Sequence, residues 1–138
     1  MSGDLKTAIR GRDIFIGVSK GGVLTGDMVK LMNERPIIFA LANPEPEIMP
    51  EVAKSAGAFV VATGRSDFPN QINNVLGFPG IFRGLLDNRI RKIERKMLHK
   101  AAENLAQHVR APSSDNILPD SLDKTVARTV AGTFKPHK

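Results

Sequence analysis

At 138 residues, with 41% apolar side chains, the chain has the size of one ordinary domain and is too hydrophobic to be disordered. It has no cysteine, no apolar stretch near the roughly 20 residues that span a bilayer, and no apolar signal-peptide core in MSGDLKTAIRGRD. This argues against disulfide frameworks, thiolate zinc sites and membrane spans, and points to a cytoplasmic location. The net charge of +6 is uneven, with eight basic and eight acidic residues over 1–70 against twelve and six over 71–138, an asymmetry that raises a nucleic-acid or acidic partner.

In chain order, the first signal is DIFIGV (Asp13–Val18), a β-branched and aromatic run bounded by polar or glycine residues, which predicts a buried strand. SKGGVLTGD then turns, and Thr25 is a plausible N-cap for a short helix through Met32. PIIFALA (Pro36–Ala42) is a second apolar run. NPEPEIMPEVAKSAG follows, where Pro50 suits the first turn of a helix that Gly57 ends. AFVVAT (Ala58–Thr63) is the third run. Continuous hydrophobicity suits strands covered on both faces, hence a parallel sheet with crossover helices. In such sheets ligands gather beyond the carboxyl ends of the strands. Those ends are SKGG, NPEPE and TGRSDFPNQINN.

After the third strand, FPGIFRGLLDNR predicts a helix, and Ile90–Val109 a longer one. Its Ile90, Ile93, Met97, Ala101, Leu105 and Val109 recur at three- and four-residue steps. RAPSSDNILPD breaks that pattern, and SLDKTVARTVAG predicts a short closing helix.

Each polar signal has a plain structural alternative. GVSKGG lacks the spacing of a dinucleotide or phosphate loop, so a glycine turn is the better reading of it. Asn43 precedes a proline, which biases it to extended geometry with its side chain free to project from the sheet edge; an ordinary turn explains it equally well. Asn73 and Asn74 suit capping or turns, yet two amides directly before an apolar run favour a ligand role. Arg65 and Asp67 read better as a surface pair than as a ligand clamp. The cations of RIRKIERKMLHK lie opposite an apolar stripe without interleaved aromatics, so a solvated face is favoured over nucleic-acid binding. His99, His108 and His137 have no metal-ligand spacing with carboxylates.

DIFIGVSKGGVLTGDMVKLM, RPIIFALANPEPEI and AFVVATGRSDFPNQINNVLGFPGIFRGLLD together resemble the carboxyl-terminal part of bacterial-type malic enzymes, over nearly the whole chain. The resemblance implies the second half of a Rossmann-like doubly wound parallel sheet of about three strands, with carboxyl-terminal helices. It divides the chain into a partial NAD(P)-binding domain over 1–110 and a tail over 111–138. It implies oxidative decarboxylation of malate to pyruvate and CO2 with NAD or NADP and a divalent metal, Mg or Mn. Asn43 would contact both the nicotinamide end of the cofactor and the substrate, Asn74 would bind the malate carboxylate, and Gly17 and Ser19 would flank the cofactor.

The family's catalytic tyrosine and lysine and its metal carboxylates match nothing in this chain, which has no tyrosine. The chain is therefore expected to act with the amino-terminal part of the same enzyme, within a homo-oligomer, and to be inactive alone. A malolactic-type enzyme is the nearest alternative, and a non-catalytic binding or assembly module the more distant one.

Overall fold

The computed structural model describes residues 3–135. The chain divides at Ile72/Asn73 into two compact units.

The first unit alternates helix and strand: α1 (Leu5–Ile9), β1 (Ile14–Gly17), α2 (Gly26–Val29), β2 (Ile37–Ala40), α3 (Pro50–Ser55) and β3 (Val60–Thr63). The three strands form one parallel sheet in the order β1-β2-β3, as the unbroken apolar runs predict. Gly17, Ala40 and Thr63 lie in register, so the three carboxyl ends sit side by side. Local chemistry sets the helix ends. Thr25 accepts a hydrogen bond from the Met28 N–H at the start of α2, and Pro50 occupies the first turn of α3. Gly57 (φ 105°) closes α3 in the left-handed region. There its N–H donates to the Lys54 carbonyl while Ala58 donates to Ala53. The helix α1, capped by Asp4, has no counterpart in the sequence reading.

Ile38, Ala40 and Val61 meet Ile9, Val29 and Ala53 of the helices in one core, with Phe15 packed against it. The opposite face of the sheet differs from the expectation of cover on both sides. In register across it, Val60 is buried, Ile37 is intermediate and Ile14 is 53% exposed. Ile16 is 63% exposed on the same face. Cover thus declines from β3 to β1, and among the described residues no strand pairs with the outer edge of β1.

The second unit is helical. It opens with a 3-10 turn over Asn74–Leu76 and continues through α4 (Phe78–Asp87), α5 (Arg95–His108) and α6 (Lys124–Ala131). Leu76, Leu85, Met97, Ala101, Val126, Val130 and Phe134 form its core. An ideal Cβ on Gly80 would lie 2.5 Å from Val130 Cβ and 2.6 Å from the Ala127 carbonyl oxygen, so α4 and α6 touch backbone to backbone. Val126 and Val130 of α6, with Phe134 just after it, thus belong to this unit's core.

The long helix starts at Arg95 and not at Ile90. Arg89 adopts φ 50°, its N–H donating to Leu86 and that of Ile90 to Leu85. This pattern closes α4 and turns Ile90 back onto the core. Ile93, counted in the predicted stripe, is 45% exposed. No helix among the described residues is long and apolar enough to cross a membrane.

Candidate functional site

Beyond the carboxyl ends of the strands, the first unit brings together Gly17–Ser19 after β1, Ala42–Asn43 after β2 and Gly64 after β3. A carboxylate that the sequence reading missed joins the first two segments. Glu47 has no exposed surface. Its Oε1 accepts from the Ser19 N–H at 2.8 Å and from the Ser19 hydroxyl at 3.1 Å, and its Oε2 accepts from the Ala42 N–H at 3.0 Å. Burial by itself would raise the Glu47 pKa. The backbone N–H groups of Ser19 and Ala42, followed by the Ser19 hydroxyl, outweigh that effect and hold the carboxyl below the usual glutamate range. Glu47 is therefore an anion at neutral pH.

Gly17 is glycine for a steric reason. A Cβ there would lie 2.5 Å from the Glu47 carboxyl carbon. The Gly21–Gly22 turn is held against the same segment, with the Gly22 N–H donating to the Pro46 carbonyl at 3.1 Å and Leu24 to the Glu47 carbonyl at 2.9 Å. A Cβ on Gly21 would lie 2.8 Å from that of Glu45. The turn reading of GVSKGG thus accounts for both of these glycines. Asn43 is exposed, follows Ala42 directly and begins a cis Asn43–Pro44 peptide. A Cβ on Gly64 would lie 3.2 Å from Asn43 Nδ2, so the amide is seated above the end of β3.

The asparagine-rich loop separates into structural and free amides. Asn70 is buried at φ 58° and donates from Nδ2 to the Val61 carbonyl at 3.1 Å. Gln71 donates to the Gly64 carbonyl at 3.4 Å and bridges to Thr63, extending the sheet edge. In the second unit Asn73 caps the 3-10 turn, its Oδ1 accepting from the Val75 N–H at 3.0 Å. Asn74, the first residue of that turn, is exposed. The chain has eight asparagines. Six use their side chains within the chain, at 33, 70, 73, 88, 104 and 116. Among the described residues, Asn43 and Asn74 are the two whose side chains make no such bond.

Arg65 and Asp67 form a two-point pair at 2.9 and 2.6 Å in an exposed position. The guanidinium also lies 5.1 Å from the centre of the Phe68 ring. Two of its five N–H donors are committed to that pair, as the surface-pair reading predicts. The second unit has its own polar cluster. His108 Nε2 lies 3.0 Å from Asp123 Oδ2 and Nδ1 lies 3.1 Å from the Thr129 hydroxyl, joining α5 to α6. Among the described residues no group of three His, Asp or Glu side chains could hold a metal ion. His137 lies outside the described residues.

Comparison with known proteins agrees with the parallel-sheet fold. The family model described as "Malic enzyme, NAD binding domain" matches residues 4–133. The "Bifunctional malic/malolactic enzyme" of Bacillus subtilis is 56% identical over 131 residues, covering 94% of this chain and 32% of that protein. The "NAD-dependent malic enzyme" of Geobacillus stearothermophilus is 48% identical over 132 residues, 94% of this chain and 27% of its own length. Among solved structures, the malic enzyme of Pyrococcus horikoshii superposes with a TM-score of 0.92 at 48% identity, over 96% of this chain and 31% of that one. The NAD-dependent malic enzyme of Thermotoga maritima gives 0.93 at 50%, over 98% and 35%. The chain spans about a third or less of the length of these relatives.

Proposed function

The chain belongs to the malic enzyme NAD-binding domain family, and from that premise we propose that it supplies the cofactor- and substrate-orienting part of an enzyme that oxidatively decarboxylates malate. The observation that carries this reading is the pair of free amides. Every other asparagine is spent on the fold, while Asn43 and Asn74 present exposed donors and acceptors. An amide can donate to a carboxylate or a carbonyl without adding charge of its own. Asn43, at the strand ends where ligands of such sheets gather, faces the nicotinamide end of the cofactor and the substrate. Asn74 donates to the malate carboxylate. Gly17 and Ser19 form the loop flanking the cofactor, where the missing side chain at 17 keeps the backbone close to Glu47. The residues present fit a nicotinamide dinucleotide, which when bound takes up a hydride from the hydroxyl-bearing carbon of malate.

The remaining parts come from elsewhere in the enzyme. The general acid, the general base and the carboxylates for Mg or Mn lie outside this chain, in the amino-terminal part and within a cytoplasmic homo-oligomer. Relatives named for NAD and for NADP both match this chain, so the cofactor is assigned as either. The malolactic reaction is the second reading, favoured by the double name of the Bacillus subtilis relative.

The test is Asn74→Ala in a complete enzyme that carries this chain. Losing one charge-assisted hydrogen bond should lower kcat/KM for malate roughly tenfold to a hundredfold while cofactor affinity stays in place. Unchanged malate kinetics would remove Asn74 from the site.

A further inference from the structure

Glu47 raises a question that the proposed roles leave open. A buried carboxylate is costly and is normally paired with a cation or a metal. Among the described residues none forms an ion pair with Glu47, and its compensation comes from the Ser19 N–H and hydroxyl and the Ala42 N–H. Those partners are not scattered over the core. Ser19 belongs to the loop after β1, and Ala42 is the residue directly before Asn43. Among the described residues the Asn43 side chain has no hydrogen-bond partner, so its aim is set by the backbone that leads into it. That backbone is anchored at the Ala42 N–H. The same carboxylate fills the space that a side chain at residue 17 would take.

We propose that Glu47 is a positioning residue: its buried carboxylate spans the Gly17–Ser19 loop and the Ala42–Asn43 loop, fixing the distance at which the Asn43 amide meets a cofactor lying along the first loop. The inference rests on the functional reading of Asn43 and Asn74 given above. It also accounts for the choice of residue. A glutamine would have the same length and volume, but its amide nitrogen would point a donor at one of two backbone donors. Only a group that accepts on both oxygens can hold both loops at once.

The decisive experiment is Glu47→Gln in a complete enzyme carrying this chain, assayed well below its melting temperature with kcat and both KM values determined separately. One donor set against a buried donor should lower kcat roughly tenfold to a hundredfold and raise the cofactor KM. The malate KM should rise less than it does in Asn74→Ala, because Asn43 faces the substrate too while Asn74 stays in place. Where Glu47→Gln does not fold, Glu47→Asp keeps the charge but withdraws the carboxylate by one methylene, and a smaller change of the same two parameters is expected.

A residue that only stabilised the fold would lower the urea midpoint and leave kcat and both KM values of the folded enzyme unchanged. That result in the folding variant overturns the inference. The two readings fail separately. If Asn43→Ala and Asn74→Ala leave malate turnover intact, the functional reading falls whatever Glu47 does. If both lose turnover while Glu47→Gln behaves as wild type, only the role of Glu47 falls.

Discussion

The two units of this chain solve the problem of polar groups in opposite ways. The sheet unit carries a balanced charge and places one carboxylate at full burial, held by loop N–H groups and the Ser19 hydroxyl. The helical unit carries the excess of basic residues, and Arg91, Lys92, Arg95, Lys96 and Lys100 all stand in solvent. Its interior is joined by close contact between helices, with Gly80 and Gly84 of α4 against the backbone of α6. One unit is therefore sensitive to what its buried groups accept and donate, and the other to volume. Polar precision lies where the loops after β1 and β2 meet, and between the helices it is confined to part-buried contacts such as those of His108 with Asp123 and Thr129.

Three measurements would break or sharpen that contrast. The largest effect should come from Gly80→Val, whose branched side chain meets Val130 and the Ala127 carbonyl with no room to yield. A urea melt should show a loss of about 3 kcal/mol or more, and wild-type stability in that variant would show that the α4–α6 contact gives easily.

A smaller effect belongs to acid. Hydrogen bonds from the Thr125 hydroxyl, and then from His108, hold the Asp123 carboxyl at about 2 against an ordinary 3.8. A depressed carboxyl stabilises the fold above its unfolded pKa, and that contribution disappears as pH falls through the folded value. Amide signals from α6 should therefore report destabilisation between about pH 4 and about pH 2, and Asp123→Asn should flatten that limb. An unchanged limb in the variant would assign it to other carboxylates.

The smallest effect is charge reversal at Arg91 and Lys92, expected to change stability by no more than about 0.5 kcal/mol. A melt showing a loss of several times that size would mean these cations are not merely solvated.

Much of the fold was legible because its signals are local. Three unbroken apolar runs, the Thr25 cap, Pro50 and Gly57 each act within a turn of their own position, and each stands where the sequence places it. The helix start at Arg95 was not legible, because Arg89 takes a left-handed conformation that a sequence pattern assigns to glycine or asparagine. With it, Ile90 serves as the stop of one helix, although its spacing reads as the start of the next. The helix α1 was hidden by shortness, since LKTAI offers too few residues for a periodicity.

Asn43 and Asn74 were reached through a family resemblance, and hydrogen bonding among the described residues then set them apart from the other asparagines. Glu47 left no comparable trace. In NPEPE the two glutamates follow prolines alike; only the tertiary arrangement buries one and exposes the other.

The uncovered side of β1 bears on how this chain behaves in solution. Asp13–Val18 combines strong β-propensity with a single charge and no proline, which is the make-up of a segment that seeds fibrillar stacking when its edge is free. Ile14, Ile16 and Val18 stand open beside an edge that no strand among the described residues pairs with, and a second copy of the strand would satisfy both needs at once. Arg12 before the run, Asp13 at its start and Lys20 after it serve as gatekeepers, charges that make such stacking costly without forbidding it. The colloidal behaviour of the chain thus depends on concentration and salt. Screening weakens the gatekeepers and leaves the apolar strand as attractive as before.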